Sequence, residues 1–446
     1  GTTYTSYASL SPLGTADYTW KEGFVLTPAA AQRLSDLGIN QAGEVSGPGF
    51  CMKWAPRFID DNKGEAVVAG ALVPAARAQA IITRALPDLS YAPVWQGYLD
   101  DDGCSRPLAL QNNTTYRVTL LTNMLLTADT GDFGVRVGQK IGAPEAHGYD
   151  RFVHVTNASV SSVTVPFWFV EPETGVSAAI SSMFAQGAYE GARRGVTYQA
   201  YADQACPSGA SACYSGALFI GPNGSQPQSH DSQWKVVILH ELGHGVQDTT
   251  IGWPGQAIPY GDDIATNPGQ YCRCDHVKSV NDRAHCLQSR EETSDAQIEA
   301  YAHYFSSRTW SGSDSTSCTF PYYKEVLNPG PGDFPTPLSF APPWPANCAA
   351  TVKWMEARCI PDQTNNGRGV EWDWLNFFHH ISSNDVSGTV SHGDIMLVYR
   401  QACGNVPCTG PRTYQQLQAA ALTLFGSGTS RYNNFNLALA NYGVNH

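Results

Sequence analysis

At 446 residues the chain is long enough for two or three domains, each with its own core. Charged residues make up only 15%, while Gly, Tyr, Trp and Pro are plentiful, a composition that argues against a disordered chain. The net charge of −12 leaves no basic footprint for nucleic acid or an anionic membrane, and no apolar run approaches the roughly 18 residues of a membrane span.

Residues 1–90 read as a mixed N-terminal segment. Thr27 to Leu37 begins with a capping Thr and a Pro at the first helical position, which predicts a helix. A second helix is predicted over Pro74 to Ala85, with a strand at Gly49 to Trp54 between them. Near Val94 the period of the apolar residues changes to two. Thr115–Leu121, Phe133–Val137, Phe152–Val155 and Ser162–Val170 are strand-like and separated by Gly/Asp/Asn turns, which predicts a β-sandwich-like domain over 91–172. The acidic turns Asp60–Gly64 and Asp100–Gly103 are candidate Ca²⁺ sites. Neither continues to the distant acidic residue of an EF-hand loop, so solvated turns are the better expectation.

Residues 173–446 read as a mainly helical domain. Ile180, Met183, Phe184 and Ala188 form one helical stripe within 176–191. A short strand is expected at Gly216–Pro222, as a sheet edge able to take an extended peptide through its main chain. The stretch Gln233–Gln247 follows it. After an irregular insertion over 249–288, helices are predicted at Ser289–Ser307, Ala349–Arg358, Trp372–His380 and Tyr414–Leu424, with a proline-rich crossing at Pro329–Pro345. The chain shows no internal repeat, and its fold class is α+β.

Twelve cysteines lie among loops rich in Ser, Thr, Asn and Gly, and lysine and arginine are scarce. That usage predicts disulfides and a secreted, extracellular or cell-surface location. Cys206 with Cys213, Cys403 with Cys408, and Cys51 with Cys104 are the expected bridges. Cys272, Cys274 and Cys286, with His276 and His285 nearby, are expected to form disulfides in preference to a second zinc site. The opening Gly1-Thr2-Thr3-Tyr4 lacks a basic and then apolar leader, and reads as a mature form whose export signal is missing from the sequence.

The chemistry is carried by His240-Glu241-Leu242-Gly243-His244. Two imidazoles four residues apart lie on one face of a helix, one turn apart, so both can reach a single Zn²⁺. Val236, Val237, Ile238, Leu239 and Leu242 make that helix apolar nearly all round and therefore central to a domain. A buried, unpaired carboxylate would cost several kcal/mol, whereas a metal satisfies the histidines and Glu241 together.

A catalytic zinc takes a third protein ligand, and the helix beginning at Ser289 offers two candidates. Glu299 sits among Ile298, Ala300, Tyr301, Ala302, Tyr304 and Phe305, in company where a carboxylate needs a metal. Glu291, with Asp295 four residues later, is the alternative, although the helix dipole and a capping box already account for acidic residues in that first turn. This pattern, HExxH followed by a glutamate on a second helix, resembles the gluzincin class of zinc metallopeptidases, secreted bacterial enzymes among them. Glu299 is similar to the class's Glu-x-x-Ala form and is the preferred ligand. Glu291 with Asp295 is similar to the Glu-x-x-x-Asp form of thermolysin-like members. The match departs at His303, where many gluzincins carry an acidic residue, so the carboxylate orienting His240 or His244 is expected from Asp295 or Asp248.

The resemblance implies a zincin-like catalytic domain and a secreted zinc-dependent metalloendopeptidase acting on protein or peptide substrates. His240, His244 and Glu299 hold one catalytic Zn²⁺, and Glu241 is the general base. Tyr301, His303, His379, His380, His392 and Tyr399 are candidate donors to the oxyanion, with His379 the first choice as a further catalytic residue. No Gly-x-Ser-x-Gly or Gly-x-x-x-x-Gly-Lys motif supports a serine hydrolase or nucleotide enzyme. The competing expectation is a cell-surface or extracellular structural or adhesive protein that retains the zincin-like scaffold.

Overall fold

A computed structural model describes residues 18–19, 25–26, 49–54, 59–60, 65–66, 72–128, 131–138, 141–142, 146, 148–167, 196–207, 212–221, 235–252, 293–311, 369, 371–383, 386–404 and 412–445. The chain is α+β, and its described residues fall into two compact units, one made chiefly of those up to Ile238 and the other of those from Leu239 onward.

The first unit is β-rich. Four short strands, β1 (Tyr18–Thr19), β2 (Val25–Leu26), β4 (Ile59–Asp60) and β5 (Glu65–Ala66), accompany two larger sheets. In the smaller of these, β3 (Gly49–Trp54) lies between β6 (Val73–Pro74), antiparallel, and β12 (Ser162–Phe167), parallel. Phe50, Met52 and Trp54 alternate along β3 and are fully buried, as a period of two requires. The larger sheet is organised on β9 (Thr114–Ala128), whose fifteen residues serve three partners. One edge pairs with β7 (Ala78–Ala85), which in turn pairs with β8 (Tyr91–Tyr98). The other edge pairs with β11 (Gly148–Val155) and then β10 (Gly131–Gly138). Beyond β10 come β13 (Val196–Tyr201) and β15 (Leu218–Ile220), both parallel additions, and β14 (Ala212–Tyr214). Phe50 of β3 meets Tyr116 of β9 with ring centroids 5.5 Å apart, so apolar side chains of the two sheets share a core.

Three expectations change here. Pro74 to Ala85 is not a helix. Alanines make it look helical, yet Ile81, Ile82 and Thr83 are β-branched and β7 is hydrogen-bonded on both sides, so sheet pairing overrides a weak propensity. The larger sheet also draws strands from either side of 91–172. Finally, β15 is flanked by β13 and β14 and offers no free edge for a peptide. The predicted helices at Thr27–Leu37, 176–191 and Ala349–Arg358, the proline-rich crossing, most of the Asp60–Gly64 turn and the cysteines at 272–286 lie outside the described residues.

The Asp100–Gly103 turn is satisfied by the protein itself. Asp100 Oδ1 accepts the backbone N–H of Asp102 at 3.0 Å and of Cys104 at 2.7 Å, and Asp101 pairs with Arg77. The expected bridges Cys51–Cys104 and Cys206–Cys213 are present, and Cys403 is also disulfide-bonded; Cys408 lies outside the described residues.

The second unit is helical: α1 (Lys235–Ile251), α2 (Thr293–Ser311), α3 (Glu371–Ser382), α4 (His392–Ala402), α5 (Tyr414–Phe425) and α6 (Ser430–Asn441). Ser391 and Thr413 start α4 and α5 with capping boxes completed by Asp394 and Gln416. The core centres on α2, whose Tyr301 and Tyr304 rings lie 6.0 and 5.7 Å from Phe378 of α3. Phe377 extends this layer to Phe435 of α6 at 5.2 Å. Gln297 on α2 is fully buried and satisfied at both ends, accepting from Tyr399 Oη at 2.9 Å and donating to the Arg412 carbonyl at 2.8 Å. No helix among the described residues is long and apolar enough to cross a membrane.

Gly103 adopts φ +75°, and a Cβ there would stand 2.6 Å from the Met52 carbonyl oxygen and 2.8 Å from the Ala75 nitrogen. Gly103→Ala is therefore expected to lower stability by about 2–4 kcal/mol. Urea unfolding followed by tryptophan fluorescence checks this, and an unchanged midpoint would contradict it.

Candidate metal centre

The spacing in α1 turns His240 and His244 to the same side, with their Nε2 atoms 3.0 Å apart. From α2, Glu299 Oε2 comes within 3.2 Å of His240 Nε2 and 3.4 Å of His244 Nε2. A four-coordinate ion with bonds of about 2.0–2.2 Å spaces neighbouring ligand atoms about 3.3–3.6 Å apart, so these three edges are close to those of a metal site. The donors are two imidazoles and one carboxylate, all suited to a divalent ion, and the group can hold one. Burial, with the His303 imidazole alongside, pushes the His240 pKa down to about 4. Its neutral form, the one with a lone pair for a metal, is thereby favoured.

Close packing makes the convergence achievable. Gly243 faces α2, where a Cβ would lie 2.9 Å from Ala302 Cα and 3.2 Å from Phe305 Cβ. Without a side chain at 243 and with only a methyl at 302, the two backbones approach near enough for a glutamate on one to reach imidazoles on the other.

Glu241 follows His240 on α1 and is 8% exposed. His303 is also at the centre, its Nδ1 lying 3.2 Å from His240 Nδ1, and Glu371 Oε2 of α3 is 3.7 Å from His303 Nε2. Asp295 or Asp248 is the expected carboxylate behind His240 or His244; among the described side chains, His303 stands against His240. The signal for His303 lay in its spacing, one turn from Glu299. Glu371 carried no such signal, since it belongs to a helix distant in the sequence. Glu291 and the Asp295 side chain lie outside the described residues.

The remaining candidates are residues of α2, α3 and α4. His379 is buried on α3 and is not a member of the three-residue group. Tyr301 Oη is hydrogen-bonded to His392 Nε2 of α4, and Tyr442 Oη lies 2.8 Å from His380 Nδ1. Tyr399 donates to Gln297, and burial raises its phenol pKa, which keeps it a neutral donor.

No protein-family model and no curated protein sequence matches the chain. Among solved structures, a 9R-lipoxygenase from Cyanothece PCC8801 is similar at 8% sequence identity and a TM-score of 0.15, over 50% of this chain and 29% of that one. A likeness at that level carries no information about fold or activity.

Helix propensity alone would make Gly243→Ala stabilising by about 1 kcal/mol. The contact with Ala302 reverses the sign, and a net loss of about 1–3 kcal/mol is expected. Thermal unfolding of the metal-free protein measures it, and a raised melting temperature would refute the close-approach argument.

Proposed function

We propose that this protein is a secreted zinc metalloendopeptidase of gluzincin type, in which His240, His244 and Glu299 are the metal ligands and Glu241 is the general base. The observation that carries the reading is the triangle of two imidazole nitrogens and one carboxylate oxygen, with edges of 3.0, 3.2 and 3.4 Å. Zinc suits this donor set, and three protein ligands are what a catalytic site uses when it keeps one coordination position for water.

A bound zinc ion would supply Lewis acidity and lower the pKa of its water. Glu241 does the proton work. It takes a proton from the attacking water and passes it to the leaving amine. It follows a ligand histidine directly in α1, and its burial strengthens its electrostatic interactions. The substrate class is protein or peptide, because a zinc ion held by His240, His244 and Glu299 would supply the Lewis acidity to polarise an amide carbonyl, and Glu241 is a carboxylate able to protonate the leaving amine. The disulfides at Cys51–Cys104, Cys206–Cys213 and Cys403 support an oxidising, extracellular destination. In this reading the helical unit is a zincin-like catalytic domain, and the β-rich unit is an accessory region of sandwich-like build.

Glu241→Gln is expected to cut hydrolysis of a casein-type substrate by about 10²–10⁴-fold. Zinc content by mass spectrometry should stay at the wild-type value, and a chelator should abolish wild-type activity until zinc is returned. Equal activity in mutant and wild type would reject Glu241 as the base. Zinc without any hydrolysis in wild type would instead favour a structural or adhesive protein built on the same scaffold.

A further inference from the structure

His303 follows Glu299 by four residues on α2, so both side chains leave the helix on the same side. Behind the ligand His240, His303 Nδ1 stands 3.2 Å from His240 Nδ1, and the opposite ring nitrogen of His303 is 3.7 Å from Glu371 Oε2. The second distance is too long for a direct hydrogen bond but within range of a charge interaction. Glu371 is the first residue of α3 and has no exposed surface. At the same helix end Asp373 Oδ2 accepts the Gly369 N–H at 2.8 Å.

Resting on the zinc reading above, we propose that His303 and Glu371 are positioning residues for the metal ligand His240, forming a relay of carboxylate, imidazole and imidazole that reaches the ion from a third helix. The tautomers follow from the geometry. When both Nε2 atoms of His240 and His244 offer lone pairs to the ion, the His240 proton is on Nδ1 and is donated to His303 Nδ1. The His303 proton is then on Nε2, facing the Glu371 carboxylate. The negative charge of Glu371 favours that tautomer and makes His303 a better acceptor. His240 is in turn fixed in orientation and more electron-rich at the atom that binds metal.

The test is the dissociation constant for Zn²⁺, measured by chelator competition on the full chain. Glu371→Gln keeps the shape and removes the charge. His303→Asn keeps an acceptor near the position of Nδ1 and cuts the link to Glu371, and His303→Leu removes both. Glu371→Gln and His303→Asn are each expected to weaken zinc by about 10-fold, and His303→Leu by about 100-fold. In the His303→Asn background, Glu371→Gln should have no further effect. Should Glu371→Gln fail to fold, the order of His303→Asn above His303→Leu in affinity carries the test. Wild-type affinity in Glu371→Gln, or losses that multiply in the double mutant, overturns the relay while leaving the zinc reading intact. A wild-type protein that does not bind zinc overturns both.

Discussion

The approach of α1 to α2 at Gly243 governs the second unit. Helices whose side chains interlock in the ordinary way stand about 8–10 Å apart. Here a Cβ at 243 would already be in collision with Ala302, so the helices are as close as a glycine allows. That closeness decides the chemistry. The nitrogens of His240 and His244 are set by α1 alone, but Glu299 Oε2 lies 3.2 and 3.4 Å from them only because α2 is held that near.

The two sides of α2 divide the labour of holding that position. Glu299 and His303 leave it towards His240 and His244. Gln297, Tyr301 and Tyr304 lie on the other side, where Tyr301 reaches His392 and Phe378, and Gln297 bridges Tyr399 and Arg412. Three imidazoles and two carboxylates, from His240, His244, His303, Glu299 and Glu371, gather in a largely buried region. Unpaired, each buried charge would cost several kcal/mol. The arrangement is tolerable because neighbouring groups are complementary in charge or hydrogen bonding, and a divalent cation would improve the balance further.

The centre was largely legible in the sequence because it depends on local spacing. His240 and His244 are one helical turn apart, and Glu299 is a carboxylate in an otherwise apolar stretch of α2. Strands with strict alternation, such as Gly49–Trp54 and Thr115–Leu121, were readable for the same reason. Pro74 to Ala85 was misread because an alanine-rich segment shows its helical propensity locally but its neighbours β8 and β9 only in the fold. The helices α4 and α6 escaped notice because only one face of each is buried and their apolar residues are interrupted by polar ones, as in Ser430–Asn441. Glu371 is the limiting case. Nothing within a few residues of it points to His303, and only the packing of α3 on α2 joins them.

That pairing also gives His303 a physical rationale. A carboxylate at position 303, directly against His240, would be a negative charge on the same face of the same helix as Glu299, one turn away. Carboxylates at that spacing repel, and burial strengthens the repulsion because less water screens it. An imidazole at 303 avoids this. It can accept a hydrogen bond from His240 while staying neutral, and the carboxylate is supplied from α3, one ring farther from Glu299. The cost is a longer link, 3.7 Å in place of a direct hydrogen bond. The gain is that the orientation of His240 becomes coupled to the packing of α3, so the aromatic layer of Phe377, Phe378 and Tyr301 supports the His240, His244 and Glu299 group as well as the core.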